Sequence, residues 1–347
     1  MAYAQPDYSP QIVDLAGDAL IDYADALNYF EDAGLDYLDV IRNWRLSHAY
    51  PLNTFQMTLR NRTRAVDLTG VVAQRIKRPE SIENKLRRKA DLKLSVIQDI
   101  GGCRAIVGSV EQVYQLVDLY HRKYSSHKLD DHDDYIKGPK SDGYRSYHFI
   151  YCYSDPKHPE YENLKIEMQI RSALQHSWAT AVETVDTFLR EGLKSHRGSP
   201  DWHRFFALMG SVLAMREGTR RVPRTPKDQG ELIAELRHYV SDLNVFAQLE
   251  SFGQTLNVIP SARQSRIKWV VLELDPGIGA SSLKLYGYRA AELSDAAERL
   301  EALERHKAKG VDAVLVSVAD AANVRNAYPN YWLDTSQFLD AVKQAIS

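Results

Sequence analysis

The sequence predicts an α/β protein, on three observations. Short apolar, β-branched or alternating stretches alternate with amphipathic helical stretches through the middle of the chain. The same alternation returns in roughly the last quarter of the sequence. The chain has 347 residues, 44% of them apolar and 26% charged, which is enough to build cores for two or three domains and excludes wholesale disorder.

Taken in order, the apolar residues Ile12, Leu15, Leu20, Tyr23, Leu27 and Phe30 recur at helical spacing, and Gly34 supplies a stop. Leu35, Leu38 and Ile41 form a second short helix before Pro51 breaks the pattern. A helix from Asn53 to Arg64 precedes a strand from Val71 to Lys77, and Ser81 opens a helix running to about Leu94. A turn at Asp99 leads into a buried strand ending at Val107, and Val110 to Tyr120 is helical. After an acidic loop, Lys137 to Gly143 forms a second, Lys/Pro/Gly loop. Strands at Ser146–Tyr153 and Leu164–Ile170 follow as sheet neighbours, and then a long helix, Ser172 to Leu189. Helices at Asp201–Glu217 and Gly230–Phe252 carry apolar stripes and no catalytic-looking clusters. The tail reads as strands at Ile267–Leu274, Leu283–Tyr288 and Val311–Val318 with helices at Ala290–Lys307 and Thr335–Ile346. The expected organisation is acidic helices over 1–45, an α/β domain over 46–195, linking helices over 196–261 and a small αβ domain over 262–347.

Composition narrows the function. No apolar run approaches the ~20 residues that span a bilayer, and the amino terminus lacks a secretory pattern, so a cytoplasmic protein without a membrane partner is expected. Cys103 and Cys152 are too few for a disulfide framework and lack zinc spacing. The net charge of −2 hides an asymmetry: nine acidic residues precede the first basic one, Arg42, whereas Arg60 to Lys93 carries eleven basic residues against four acidic. Such a concentration suits phosphate-bearing partners.

Spacing sharpens that reading. Arg75 and Lys77 share one face of their strand, and Lys85 lies one helical turn past Ser81, so three cations can converge on a polyphosphate. Asp99 sits at a turn just before a Gly-Gly pair and Arg104, where a lone carboxylate can hold Mg²⁺ together with substrate phosphates. Glu167, Gln169 and Arg171 alternate on one strand face. Glutamate beside such a metal is suited to drawing a proton from a hydroxyl, and Tyr144 offers a surface for a nucleobase. Each signal has a plainer reading: a solvated charge face, a turn aspartate, the wet side of an edge strand, a helix cap at Ser81.

In order along the chain, the motifs Arg-x-Lys-x-x-x-Ser-Ile-x-x-Lys, Asp-Ile-x-Gly-x-Arg, Lys-x-x-Gly-Tyr-Arg-Ser-x-His and Glu-x-Gln-Ile-Arg, followed by His176-x-Trp178-Ala179, resemble the synthetase domain of the RelA/SpoT family over about residues 50–190. The resemblance implies a nucleotidyltransferase-like fold and transfer of the β,γ-pyrophosphate of ATP to a ribose hydroxyl with Mg²⁺. It implies that Arg75, Lys77, Ser81, Lys85 and Arg104 bind ATP, that Asp99 and Glu167 hold the metal and that Glu167 activates the acceptor. Tyr144, Lys140, His148 and Gln169 would position that acceptor. The sequence departs from the family at Asp142, where asparagine is usual. The stretch before Arg75 is too short for the hydrolase domain of the family's long enzymes, so product hydrolysis is not expected.

The tail carries Tyr328-Pro329-Asn330-Tyr331, which resembles CapRel-type fused toxin–antitoxins, whose carboxy-terminal domain occludes the ATP site until a phage capsid protein releases it. That resemblance implies tRNA as acceptor, a phage protein as trigger, and Tyr328 and Tyr331 as autoinhibitory residues, stacking on arginines such as Arg75 or Arg104. The alternative acceptor is GDP or GTP, giving an alarmone synthetase. A catalytically inactive binding module is the reading from a different class, and the plainer reading of the two tyrosines is core aromatics.

Overall fold

A computed structural model describes the chain except residues 1–2, 90, 123–126, 190–198, 255, 261–266, 276–280, 307–310, 318–324, 326–327, 329–330 and 333. Three helices open it: α1 (Pro10–Leu20), α2 (Ala24–Ala33) and α3 (Tyr37–Ser47). The single helix expected up to Phe30 is divided, because Asp22 takes a left-handed conformation (φ 68°). Gly34 ends α2 in the same region (φ 62°), as expected of a helix stop. Helix α4 (Ala49–Val66) follows almost without a break. Pro51 does not interrupt it, because it occupies the first turn, where the missing N–H has no helical partner to lose.

Strand β1 (Val71–Ile76), α5 (Pro79–Arg88), β2 (Gly101–Val107) and α6 (Val110–Arg122) form the first half of the α/β unit. Helix α5 starts at Pro79 with Arg78 at its cap, so Ser81 is the third residue of the helix and not its cap. The helix also stops at Arg88, short of the expected Leu94. Strands β3 (Lys128–Asp134), β4 (Tyr147–Cys152) and β5 (Lys165–Ser172) complete that half-sheet. Expected as an acidic loop, β3 is instead an exposed edge strand paired antiparallel to β4. Its row of aspartates discourages further strand addition. Helices α7 (Ala173–Leu189), α8 (Pro200–Arg216), α9 (Gln229–Asp242) and α10 (Val245–Gln254) follow, with a positive φ at Asn244 dividing what was expected as one helix. The tail is β6 (Leu256–Pro260), β7 (Ile267–Asp275), β8 (Ser281–Arg289), α11 (Leu293–His306), β9 (Asp312–Ser317) and α12 (Ser336–Ile346). The expected ends at Lys307 and Val318, and the domain boundaries drawn at 195 and 262, fall outside the described residues.

The nine strands among the described residues form one sheet, ordered β3-β4-β5-β2-β1-β9-β7-β8-β6. The tail strands therefore continue the α/β unit's own sheet, joined where Arg75 on β1 faces Val316 on β9. Alternation divides the sheet into two faces. On one, Ile76, Cys103, Met168 and Phe149 are buried in the cluster that also holds Leu52, Phe55 and Leu59 of α4 and Leu116 of α6. Further along the same face Trp269, Val271 and Leu315 pack on α11. The other face carries Arg75, Gly102, Arg104, Glu167, Gln169 and His148, beside a second core built by α7, α8, α9, α10 and α12.

Candidate active site

Register assembles the site. Gly102 faces Arg75 on one side and Glu167 on the other, and Arg104 faces Ala73 and Gln169, which in turn faces His148. A Cβ built on Gly102 would meet only the Glu167 carbonyl oxygen, at 3.9 Å. The row therefore has an open floor between a guanidinium and a carboxylate.

Asp99 stands at the end of this row. Lys77, whose N–H continues the ladder by donating to the Ile100 carbonyl at 2.8 Å, donates through Nζ to Asp99 Oδ2 at 2.5 Å. Lys85 Nζ on α5 donates to Oδ1 at 2.8 Å. The expected convergence of cations is present, and it converges on a carboxylate. Burial pushes the Asp99 carboxyl up, but the two ammoniums outweigh it and hold the group well below the usual carboxylate range. The same burial, with Arg75 and Lys85 nearby, lowers Lys77. Arg75 is crowded by protein yet open to solvent, as on the floor of a cleft. The crowding disfavours its charge, but Glu183, then Asp99 and Glu167, raise it overall.

A hydrogen-bonded wall backs the second carboxylate. His148 Nδ1 lies 3.0 Å from Glu167 Oε1, and Gln169 Nε2 donates to Oε2 at 2.7 Å. Tyr144 Oη meets His148 Nε2 at 2.7 Å, and Arg171 Nη2 donates to both Tyr144 Oη and Gln169 Oε1 at 2.7 Å. Burial opposes charge on His148, but Tyr144 and Glu167 raise it to about 9. Reciprocally, burial and Asp99 push Glu167 up while His148 and Gln169 bring it down, so the glutamate is ionised. Lys140 Nζ lies 5.2 Å and the Arg171 guanidinium 5.1 Å from the Tyr144 ring centre, both within cation–π reach.

The loop before β4 is braced from outside the motif. Gly143 adopts φ 100°, and a Cβ there would come within 2.8 Å of the Phe206 carbonyl oxygen and 2.9 Å of the Trp178 ring. Trp178 Nε1 donates to that carbonyl at 2.9 Å, so the indole braces the loop against α8. Asp142 accepts from the Tyr144 N–H at 2.9 Å, so its departure from asparagine keeps an Asx-turn acceptor. Arg145 is buried against Glu217 at 3.6 Å and is a framework residue.

The structure thus brings together Arg75, Lys77, Lys85, Asp99, Arg104, Tyr144, Lys140, His148, Glu167 and Gln169. Ser81 lies in the first turn of α5, half-buried. Sequence reasoning missed Glu183, whose charge acts on both Arg75 and Arg104. Its spacing of seven from His176, two helical turns on α7, was the available signal.

Both tail tyrosines are buried on the site's face of the sheet. Tyr328 Oη accepts from the Gln74 N–H at 2.8 Å and donates to the Gln74 carbonyl, so one phenol serves both backbone groups of that β1 residue. The Arg104 guanidinium lies 5.9 Å from its ring centre. Tyr331 donates to Asp312 Oδ2 at 3.2 Å, Asp312 pairs with Arg78, and the Arg78 and Arg75 charges both act on the Tyr331 phenol.

Residues 74–186 match the family model described as "Region found in RelA / SpoT proteins". Within the whole chain, the GTP pyrophosphokinase of Photobacterium angustum is 24% identical over 245 residues, covering 71% of this chain and 27% of that protein. The GTP pyrophosphokinase of Escherichia coli K12 is 25% identical over 202 residues, 58% of this chain and 25% of that one. The GTP pyrophosphokinase YwaC of Bacillus subtilis is 34% identical over 112 residues, 30% of this chain and 52% of the relative. The match thus spans about a quarter of the long relatives and half of the short one. A GTP pyrophosphokinase family protein structure from Streptococcus pneumoniae aligns with a TM-score of 0.42 at 21% identity, covering 57% of this chain and 93% of that one.

Proposed function

We propose that this chain is an ATP-dependent pyrophosphokinase. The observation that carries the reading is the row Arg75–Gly102–Glu167 with Asp99 at its end. Two ionised carboxylates flank an open floor beside the cations Arg75, Lys77, Lys85 and Arg104. The relatives' names support the same reading. An acceptor ribose oxygen attacks the β-phosphorus of ATP, the bond from that phosphorus to the α,β-bridging oxygen breaks, and AMP leaves with the electron pair. The hydroxyl proton passes to Glu167, which His148 and Gln169 keep ionised and aimed. Lys77 and Lys85 turn from Asp99 to the entering phosphates, which frees the Asp99 oxygens. Asp99 and Glu167 are hard oxygen donors of the kind that share Mg²⁺ with substrate phosphates, and the ion when bound would neutralise phosphate charge.

The acceptor has two readings. GDP or GTP, giving an alarmone, is favoured by the names of the relatives. It is also favoured by the partial neutralisation of the basic stretch, since Asp22 pairs with Arg87 and Asp18 with Lys93. The 3′ end of tRNA, as in a CapRel-like self-inhibited toxin opened by a phage protein, is favoured by the tail. Its Tyr328 lies against Arg104 and its Tyr331 lies near Arg75, so both occupy the ATP-phosphate side.

The test offers GDP, GTP or bulk tRNA to the full-length protein with ATP labelled in its terminal phosphate, beside Glu167→Gln and Tyr331→Ala. Transfer by the native chain or by Tyr331→Ala, and none by Glu167→Gln, is expected. Label on tRNA only after Tyr331→Ala selects the self-inhibited toxin. Label on guanosine nucleotides from both selects the alarmone synthetase. Undiminished transfer by Glu167→Gln removes that residue from the mechanism.

A further inference from the structure

Helix α2 buries only Ala26 and Phe30. Exposed apolar side chains are concentrated around it. Of the nine large apolar residues exposed among the described ones, five (Tyr23, Leu27, Tyr29, Leu35 and Leu38) fall between positions 23 and 38. Tyr23 is 53% and Leu35 43% exposed. Scattered apolar residues on a surface need no explanation, whereas a concentration of them marks a contact surface. Tyr23 and Leu27 stand one helical turn apart, beside the buried line of Ala26 and Phe30. At the end of α2 the Leu35 N–H donates to the Phe30 carbonyl at 3.1 Å, which holds Leu35 against the end of that line. Leu38 follows three residues on, in the first turn of α3. The border of this surface carries one sign of charge: Tyr23 to Asp39 holds five carboxylates and no lysine or arginine. Asp36 caps α3 and Asp39 is engaged by Arg305. Asp25, Glu31 and Asp32 are exposed and have no ion-pair partner among the described residues.

We propose that the exposed face of α2, with the start of α3, docks a basic amphipathic helix of a partner protein. The helix lays its apolar stripe on Tyr23, Leu27, Leu35 and Leu38, and its lysines or arginines meet Asp25, Glu31 and Asp32. Complementary charge steers such a partner and fixes its orientation. The same carboxylates repel nucleic-acid phosphates and anionic lipid headgroups, so the occupant is protein. Two helices present no unpaired strand edge, so an extended peptide gains no main-chain bonds here, whereas a helix gains contacts all along the apolar stripe. The surface adjoins both the α/β unit and the tail, since Asp22 pairs with Arg87 of α5 and Asp39 with Arg305 of α11.

The probe is a fluorescein-labelled peptide of leucine and lysine, with leucines at i, i+3, i+4 and i+7 and lysines elsewhere, titrated with the full-length protein and followed by anisotropy. Its control replaces every lysine by glutamate. Saturable binding of the lysine peptide in the micromolar range is expected, and none of the glutamate peptide. Tyr23→Ser combined with Leu27→Ser should weaken binding roughly tenfold, as loss of apolar anchors does. Asp25→Asn, Glu31→Gln and Asp32→Asn together should weaken it severalfold and flatten its dependence on salt. Leu129→Ser, on the acidic edge strand β3, should leave it unchanged. All the altered side chains are exposed, and each variant is first checked for native circular dichroism and a cooperative thermal transition. The proposal is overturned if the lysine peptide does not bind, if the glutamate peptide binds as well, or if the folded Tyr23/Leu27 variant binds like the native chain. Loss of binding in Leu129→Ser overturns it as well, by placing the peptide on β3. Sedimentation velocity without peptide adds a last arm: a dimer of the native chain that Tyr23→Ser with Leu27→Ser dissolves would give this face to a second copy and overturn the proposed partner.

Discussion

Two regions of the molecule are built from arginine, lysine and carboxylates, and they use them in opposite ways. At the junction with the tail the charges are matched. Arg45 is held by Glu304 through two bonds of 2.8 Å, Arg42 by Glu301 at 2.9 Å, Arg78 by Asp312, and Arg305 by Asp39 at 3.2 Å. In the cleft Lys77 and Lys85 share Asp99, Arg75 and Arg104 crowd beside it, and Arg171 burial lies behind. Matched pairs fasten two surfaces together, whereas a surplus of cations around shared carboxylates stores affinity for phosphate. Arg45 joins the two regions, since its Nε donates to the Lys77 carbonyl at 2.8 Å while its other nitrogens grip Glu304.

The contrast is tested from its largest expected effect downward. Glu167→Gln should cost ~10³-fold or more in pyrophosphate transfer, within the range for a general base. It should leave the thermal transition in place, and a parallel loss of fold would undo the assignment. Gly102→Val should lower transfer about 100-fold by displacing the ligand from the floor. The added Cβ meets only the Glu167 carbonyl oxygen, at an ordinary contact distance of 3.9 Å, so circular dichroism should stay native. A normal rate would mean that the floor is not where phosphates lie.

On the fastening side, Glu304→Ala leaves Arg45, only 7% exposed at its side chain, without its carboxylate. Denaturant titration should register a loss of about 3 kcal/mol. The same change should raise transfer if the docked tail restrains the site. Arg305→Ala removes pairs to Asp39 and Glu301 from an arginine that is itself 45% exposed, and should cost under ~1 kcal/mol. Comparable losses from both would show that burial does not grade these ion pairs.

The pH prediction sharpens the cleft side. His148 is raised from 6.5 to about 9, so its stabilising contribution is complete below pH 6.5 and disappears as pH rises through 9. Glu167 is lowered, so its share is present above its ordinary value of 4.5 and lost in acid. Stability of the native chain should therefore fall between pH 6.5 and 9, and His148→Gln should flatten that decline. An unchanged slope would place the titrating group elsewhere.

Much of the site was legible because its chemistry is local. Arg75 with Lys77, Glu167 with Gln169, and Asp99 before Gly101 and Gly102 are recognisable within a few residues, and strand alternation alone puts each set on one face. Elements were legible to the extent that periodicity governs them. Breaks that depend on a single backbone conformation, at Asp22 and Asn244, carry no periodic signal, and β3 read as a loop because both of its faces are polar. Glu183 was hidden because it meets Arg75 and Arg104 only once α7 crosses the sheet.

What the sequence by itself determined is the alternation of strands and helices, the ordered motifs and the charge reversal between the amino terminus and Arg60–Lys93. Each of these is set by residue identity and short spacing. Tertiary structure decided that Lys77 and Lys85 meet on one aspartate and that the tail extends the same sheet at Arg75 and Val316. It also decided that Tyr328 serves the Gln74 backbone. Those depend on strand register and on surfaces hundreds of residues apart in the chain, where pairing energy is summed over many contacts and no local pattern records the partner.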